Sequence, residues 1–210
     1  MEMKDLYTFR SKLLASSFQM TAIGLGHDSH GFSHHHNLIL AKYEGINFPV
    51  LFKQTTGKKF TDILTSGWPN LLLISDNCKN ILTENQVKGW TTYPIILKDK
   101  KDNQIEGYHG FSVTGISGRK SYTNSPIIET SYVAEGPIVR IYKGATIDLS
   151  KWDGSDFFVP EGTGGIVVTK KVAELLKRNK ISNLSLDCIT EGEFDVETWD
   201  KLEEKWQLEK

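Results

Sequence analysis

Short runs of apolar residues, separated by polar turns, recur along the whole chain. This spacing predicts many short strands and few long helices. The predicted strands occupy residues 36–43, 47–54, 90–97, 105–116 and 137–142. Glu44-Gly45 predicts the turn between the first two strands, and the polar run 98–103 predicts a hairpin turn between the next two. Near the end of the chain, Val196, Trp199, Leu202 and Trp206 recur at helical spacing, which predicts a helix over residues 196–208.

Two stretches of the sequence share one pattern at an offset of 94 residues with no gap, residues 72–95 and residues 166–189. Each stretch opens with a short apolar run of the kind found in strands. Ser75 and Thr169 then stand where a helix N-cap is wanted, because a hydroxyl can accept a hydrogen bond from an amide of the first turn. The pattern predicts a short helix after each cap.

The predicted helices carry matching apolar stripes at i, i+3 and i+4, the spacing of one buried helix face. The stripes are Cys78, Ile81 and Leu82 in the first stretch and Val172, Leu175 and Leu176 in the second. Asn85 and Asn179 stand where a residue in the left-handed conformation would end each helix. Such short helices need a sheet to pack on. Each stretch is therefore interpreted as a strand–helix–strand unit.

These patterns predict an α+β fold with mixed or antiparallel sheets and two repeated strand–helix–strand units. We divide the chain into a β-rich segment 1–65, a central segment 66–145 with the first unit, and a segment 146–210 with the second unit and an acidic helix. A repeat of this length predicts either two halves with separate cores or a pseudo-symmetric pair packed together. One compact domain is compatible with both.

Composition and charge favour a soluble, cytoplasmic protein. The chain is 39% hydrophobic and 24% charged, with a net charge of −1, so neither a membrane span nor general nucleic-acid binding is expected. Residues 187–210 hold nine acidic residues and three lysines, a net charge of −6. This acidic end favours a basic partner or forms a solvated helix face. Cys78 and Cys188 are expected to be buried free thiols in a reducing compartment.

Further patterning precedes each unit, in residues 66–70 (SGWPN) and residues 152–156 (WDGSD). Together with Ile74-Ser75-Asp76 and Val168-Thr169-Lys170, these segments resemble immunity proteins of bacterial polymorphic toxin systems over about residues 66–189. The second unit departs from that pattern, because it lacks the glycine and aromatic residue that follow the first helix. The resemblance implies an antitoxin-like protein that binds a cognate toxin, and it implies no catalytic residues and no cofactor.

A cluster of histidines offers a different function. His27, His30 and His34 could bind zinc through neutral imidazoles, which would make the chain a metal-dependent hydrolase. The cluster lacks the His-Glu-x-x-His spacing of a helical zinc site, and glycines flank it, so a loop without bound metal is the competing interpretation.

The function that we expect is therefore binding of a toxin protein without catalysis, and the oligomeric state is left open. Aromatic and charged residues that remain exposed would suit such an interface. We select as candidate contacts the loop residues Arg119, Lys120 and Tyr122 and the acidic residues Glu193, Asp200, Glu203 and Glu204.

Overall fold

A computed structural model describes residues 1–12 and 14–208 of the chain. About 22% of the chain is helical and 37% forms strands, which confirms the α+β class. The helices are α1 (His34–Ile39), α2 (Asp76–Glu84), α3 (Lys170–Arg178) and α4 (Val196–Leu208). The strands are β1 (Leu6–Ser11), β2 (Gln19–Ile23), β3 (Val50–Thr56), β4 (Ile63–Ser66), β5 (Leu72–Ser75), β6 (Trp90–Tyr93), β7 (Ile95–Lys98), β8 (Gln104–Ile105), β9 (Tyr108–Val113), β10 (Ile116–Ser117), β11 (Lys120–Ser121), β12 (Ile127–Thr130), β13 (Val139–Lys143), β14 (Thr146–Ile147), β15 (Phe157–Pro160), β16 (Val167–Thr169), β17 (Leu184–Cys188) and β18 (Glu193–Asp195).

Two large sheets carry the fold. One has the order β10-β15-β16-β1-β17, and the other has the order β6-β9-β5-β4-β2-β3-β7-β8. Read from β17 and from β6, the first five strands of each sheet follow the same pattern of pairing. Equivalent pairs differ by the same 94 residues: Ile63 faces Ile74 in one hairpin, and Phe157 faces Val168 in the other.

The two sheets exchange strands. β1, from the beginning of the chain, pairs with β16 and β17 of the second unit. β9, from the middle of the chain, pairs with β5 and β6 of the first unit. Each sheet therefore contains a strand from the other half of the sequence, and the strand order links the three sequence segments.

A strand, a nine-residue helix and a second strand follow one another at both predicted places. Ser75 caps α2 by accepting a hydrogen bond from the Cys78 amide at 3.2 Å, as predicted. Thr169 stands at the matching N-cap, but its hydroxyl donates to Asp156 at 3.3 Å and makes no cap hydrogen bond. That the two units are repeats of one another stays a prediction from the sequence.

Both helices end at the predicted residues, but the left-handed residue lies one position later than predicted. Asn85 and Asn179 have φ of −91° and −85°, and each side-chain amide donates to the carbonyl four residues earlier at 2.9 Å. The left-handed residues are instead Gln86 and Lys180, with φ of 50° and 55°. Because each Asn side chain bonds back to its own helix, the residue after it adopts the left-handed conformation and reverses the chain.

Most of the apolar side chains share one large core. It includes the predicted helix stripes, with Ile81 at its margin, and residues of both large sheets. Phe9, Phe111 and Phe157 pack together in it, with ring centroids 5.2 to 5.6 Å apart. A single core that spans both units replaces the alternative of two separate cores.

One of the predicted strands is wrong, and one predicted hairpin is divided into two antiparallel pairs. Residues 36–43 form no strand, because α1 covers residues 34–39 and Ala41 then adopts a φ of 54°. The Ser33 hydroxyl accepts a hydrogen bond from the His35 amide and so starts this helix. The predicted hairpin of residues 90–97 and 105–116 is divided at Pro94: β6 pairs with β9, whereas β7 pairs with β3 and β8.

A smaller unit is added at the side of the main core. The sheet β12-β13-β18 packs with α4 around a separate cluster of Tyr122, Tyr142, Ala145, Val196 and Trp199. The predicted helix over residues 196–208 is confirmed and has the predicted bounds. This arrangement brings the acidic C-terminal segment against the loop that follows β10.

Candidate functional site

Two of the predicted contact residues, one from each candidate surface, bind one another. The Arg119 guanidinium contacts both carboxylate oxygens of Glu203, each at 2.9 Å. The two side chains are only 18% and 24% exposed. A bidentate pair with this little exposure is among the stronger charge contacts in proteins. Arg119 and Glu203 therefore hold α4 to the loop, and their exposure to a partner is small.

Aromatic rings enclose the same guanidinium. Arg119 lies 3.6 Å from the centroid of the Trp206 ring and 5.6 Å from that of Trp199. Arginine stacks well on indole because its planar cation meets the negative face of the ring. The stacking of Arg119 on these rings attaches the last turns of α4 to the loop that follows β10.

Tyr122 is part of the small core, not an exposed contact. Its side chain is buried, and its ring lies 5.1 Å from Trp199 and 5.2 Å from Phe194. Lys120 is half-buried, with its Nζ 5.0 Å from the Tyr122 ring centroid. Of the loop residues that we selected, Lys120 alone combines partial exposure with a charge that no carboxylate pairs with in the described residues.

The remaining three acidic candidates are all exposed, and one of them also accepts a hydrogen bond. Asp200 accepts a hydrogen bond from the Tyr142 hydroxyl at 3.0 Å, and this bond raises the pKa of Tyr142 above its ordinary value. Glu193 in β18 and Glu204 in α4 are exposed. The acidic surface therefore exists, but it is smaller than the sequence indicated.

A cleft opens between α4 and the strands β1 and β16 of the five-stranded sheet. We call it the C-terminal cleft; it has a volume of about 430 Å³. One wall carries Tyr122, Phe194, Trp199, Leu202 and Trp206, and the opposite wall is the loop 160–165 with the start of β16. The sequence did not predict this cleft, because its two walls lie far apart along the chain.

The histidine cluster does not assemble into a metal site. Within residues 1–12 and 14–208, no three histidine, cysteine or acidic side chains are placed so that they could hold a metal ion. Asp28 instead accepts hydrogen bonds from the amides of His30 and Phe32 and from the side chain of Asn37. His27 pairs with Ser33 in an isolated bridge, and His34 is the first residue of α1.

The neighbouring histidines serve the packing of α1. His35 stacks on Trp68, with ring centroids 4.8 Å apart. Burial lowers the pKa of His35 and of His36 below the ordinary value, and nearby positive groups act in the same direction. The metal-dependent hydrolase therefore gains no support from the positions of its predicted ligands.

A second exposed feature is the hairpin of β12 and β13, which we call the apolar hairpin (residues 127–139). Four of its large apolar side chains are strongly exposed: Ile127 43%, Tyr132 69%, Val133 63% and Ile138 71%. β12 is also the last strand of its sheet, so its outer edge has no neighbouring strand in the described residues. In the sequence, this exposure could have been suspected from apolar residues that lie between the turn residues Ser131 and Gly136-Pro137.

No protein family matches the chain, and a search of curated proteins returns no match. Among the described residues, no helix has the length and apolar character needed to cross a membrane. The function must therefore be argued from the two surface features, the C-terminal cleft and the apolar hairpin.

Proposed function

We propose that this chain is a non-catalytic immunity protein of the cytoplasm, which binds a cognate toxin domain and blocks it. The observation that carries this proposal is the apolar hairpin. Three of its side chains, Tyr132, Val133 and Ile138, are more than 60% exposed within seven residues. An exposed apolar cluster of this kind is typical of a surface that another macromolecule covers.

The type of side chain supports a protein partner. Tyrosine contributes much contact area at little entropic cost, and it is enriched among the residues that dominate interface energies. Because β12 is an edge strand, its backbone also offers hydrogen bonds to an added strand. Both features favour an interface in which a partner's strand or loop covers the hairpin.

Charge supports a basic partner. Glu135 is exposed in the loop of the apolar hairpin and Glu204 in α4. Glu129 and Glu193 are also exposed, and in the strand register they stand opposite Arg140 and Lys143. Carboxylates around an apolar centre attract a cationic surface and accelerate its association. Toxins that attack nucleic acids fit this description, since they bind a polyanionic substrate. Occlusion of such a toxin would need no catalytic group on this chain.

The test is co-expression with the product of the gene directly upstream, followed by a pull-down and a growth assay. The diagnostic variant is Tyr132→Ser/Ile138→Ser, and the control is Phe32→Ser, which removes an apolar side chain that is 60% exposed in the histidine loop. We expect the wild type and the control to form the complex and restore growth. The diagnostic variant should bind at least about tenfold more weakly, because it removes two interface anchors.

Two results would contradict the proposal. The first is absence of both complex and growth rescue with the wild-type protein. The second is full binding by the hairpin variant, which would remove the observation on which the proposal rests. Circular dichroism of both variants checks that neither has unfolded.

A further inference from the structure

The C-terminal cleft has the features of a small-molecule site, and none of its lining residues belongs to the apolar hairpin. We propose that it binds a planar aromatic compound that carries a single carboxylate. The volume of about 430 Å³ lies within the range of about 300–1,000 Å³ that is usual for ligand pockets. Its lining joins an aromatic wall to a few polar and charged groups, which is the usual composition of such pockets.

The aromatic wall favours a planar ring. Tyr122, Phe194 and Trp199 pack against one another, with ring centroids 5.1 to 5.8 Å apart, and each of them lines the cleft. Leu202 and Trp206 extend this wall along α4. Aromatic rings gain energy by stacking beyond the area that they bury. A flat ring would therefore be retained more firmly than an aliphatic chain of the same size.

One donor in this wall is unpartnered. Trp199 is only 8% exposed, and its Nε1 is buried without a hydrogen-bond partner in the described residues. Buried indole N–H groups usually donate to a partner. Because the Nε1 atom itself has almost no accessible surface, it does not face the open cleft, and the ligand would be selected by the aromatic wall and by Lys120.

The charges in the cleft favour a single negative charge on the ligand. Arg10 pairs with Asp187 at 2.6 Å, and Glu161 pairs with Lys151 at 3.1 Å. Arg119 is matched by Glu203, as described above. Lys120 and Lys205 are the two lysines that line the cleft. Lys205 is not without a partner, whereas no ion pair of the described residues involves Lys120. A ligand carboxylate near Lys120 would meet this unmatched cation.

The opposite wall gives the ring room to enter. It consists of Pro160, Gly162, Thr163 and Gly165 in the loop before β16, together with Thr8 of β1. Gly162 has a φ of +75°, and a Cβ at this position would meet no atom within 4 Å. Two glycines without side chains leave space at this wall. The hydroxyls of Thr8 and Thr163 donate to the carbonyls of Asp187 and Pro160, so the wall adds little polar attraction of its own.

The test compares a charged and a neutral ligand of the same shape by titration calorimetry. The probes are 2-naphthoate and 2-naphthalenemethanol, which share the ring and differ in the carboxylate. We expect the protein to bind 2-naphthoate at least about tenfold more tightly, which corresponds to about 1.4 kcal/mol. Lys120→Gln should abolish this preference, whereas Lys100→Gln, in the β7–β8 turn, should leave it unchanged.

Three outcomes would overturn the inference. One is no heat from 2-naphthoate at concentrations up to about 1 mM, where weak specific binding is still detectable. Another is equal binding of the acid and the alcohol by the wild type. The third is tighter binding of adenosine monophosphate, which would assign the cleft to a dianionic nucleotide. The protein is titrated alone, so this result is independent of whether the toxin complex forms.

Discussion

The Asp62 carboxylate links the two strand–helix–strand units, so its removal should destabilise the whole fold. One of its oxygens accepts from the Ser75 hydroxyl at 2.8 Å and from the Asn77 side chain at 3.0 Å. The other accepts from the amide and the hydroxyl of Ser182, at 2.9 and 2.6 Å. Ser75 and Asn77 begin the first helix, whereas Ser182 follows the second. Asp62→Ala removes all four bonds together.

The expected loss can be worked from these contacts. A hydrogen bond to a charged group contributes about 1.5–3 kcal/mol, but bonds to one carboxylate are not additive. Asp62 is half-buried, so water can replace some of the bonds in the variant. We therefore expect a loss of about 3 kcal/mol, equivalent to about a hundredfold change in the folded-to-unfolded ratio. With a urea m-value of about 2 kcal/mol/M, the midpoint falls by about 1.5 M.

The chain supplies its own control, because Asp156 stands 94 residues after Asp62 in the second unit. It accepts from the Lys88 amide at 3.0 Å, from Thr169 at 3.3 Å and from Lys171 at 3.4 Å. These bonds are fewer and longer. We expect Asp156→Ala to cost about half as much as Asp62→Ala, by the same hydrogen-bond scale. Equal costs, or a cost of Asp62→Ala below about 0.5 kcal/mol, would refute the reasoning.

The effect of Asp62 also has a pH dependence. Burial acts to raise its pKa, but the hydrogen bonds from Ser182, Asn77 and Ser75 outweigh burial, and the pKa of Asp62 lies below its ordinary value. The carboxylate therefore contributes stability above the unfolded pKa of about 3.9, and this contribution is lost as the pH falls through the lower folded pKa. The stability gap between wild type and Asp62→Ala should narrow in acid.

Two further predictions concern α4 and the thiols. Arg119→Gln removes the cation that binds Glu203 and stacks on Trp206, so α4 should lose about 1.5 kcal/mol of local stability, between the values for exposed and buried ion pairs. Amide hydrogen exchange should accelerate in α4 and stay unchanged in α2; uniform acceleration would contradict this. Burial, with the Asp62 charge adding to it, raises the pKa of Cys78 to about 12, so this thiol should react with a disulfide reagent only on unfolding. The half-buried Cys188 should react first in the native protein, and the reverse order would contradict its position.

The sequence predicted best where the signal is local. The bounds of α2, α3 and α4 follow from the spacing of apolar residues, and Ser75 and Thr169 mark the N-cap positions of α2 and α3. It predicted worst where a short apolar run fits either type of element. Residues 36–43 contain Leu38 and Ile39. Both side chains are buried in the helix that forms there, and a strand would have buried them equally well. Cys188, which we expected to be a buried thiol, is only half-buried at the end of a strand in which apolar and polar residues alternate.

The candidate site was less predictable than the fold. The sequence identified Arg119 and Glu203 as charged residues of two separate surfaces, and it could not indicate that they face each other. The distance between them is 84 residues of chain, and the contact exists because the small sheet carries α4 back to the loop. The same return of the chain creates the C-terminal cleft and buries Tyr122.

The amino-acid sequence by itself determined the α+β fold class, most of the helices and the matched pattern of the two units. Helix caps, apolar helix faces and turns depend on residues that are only a few positions apart. The tertiary structure alone decided the exchange of β1 and β9 between the sheets, the pairing of Arg119 with Glu203, and the exposure of the apolar hairpin. Strand pairing and side-chain burial depend on which distant segments meet, and no local pattern encodes that choice.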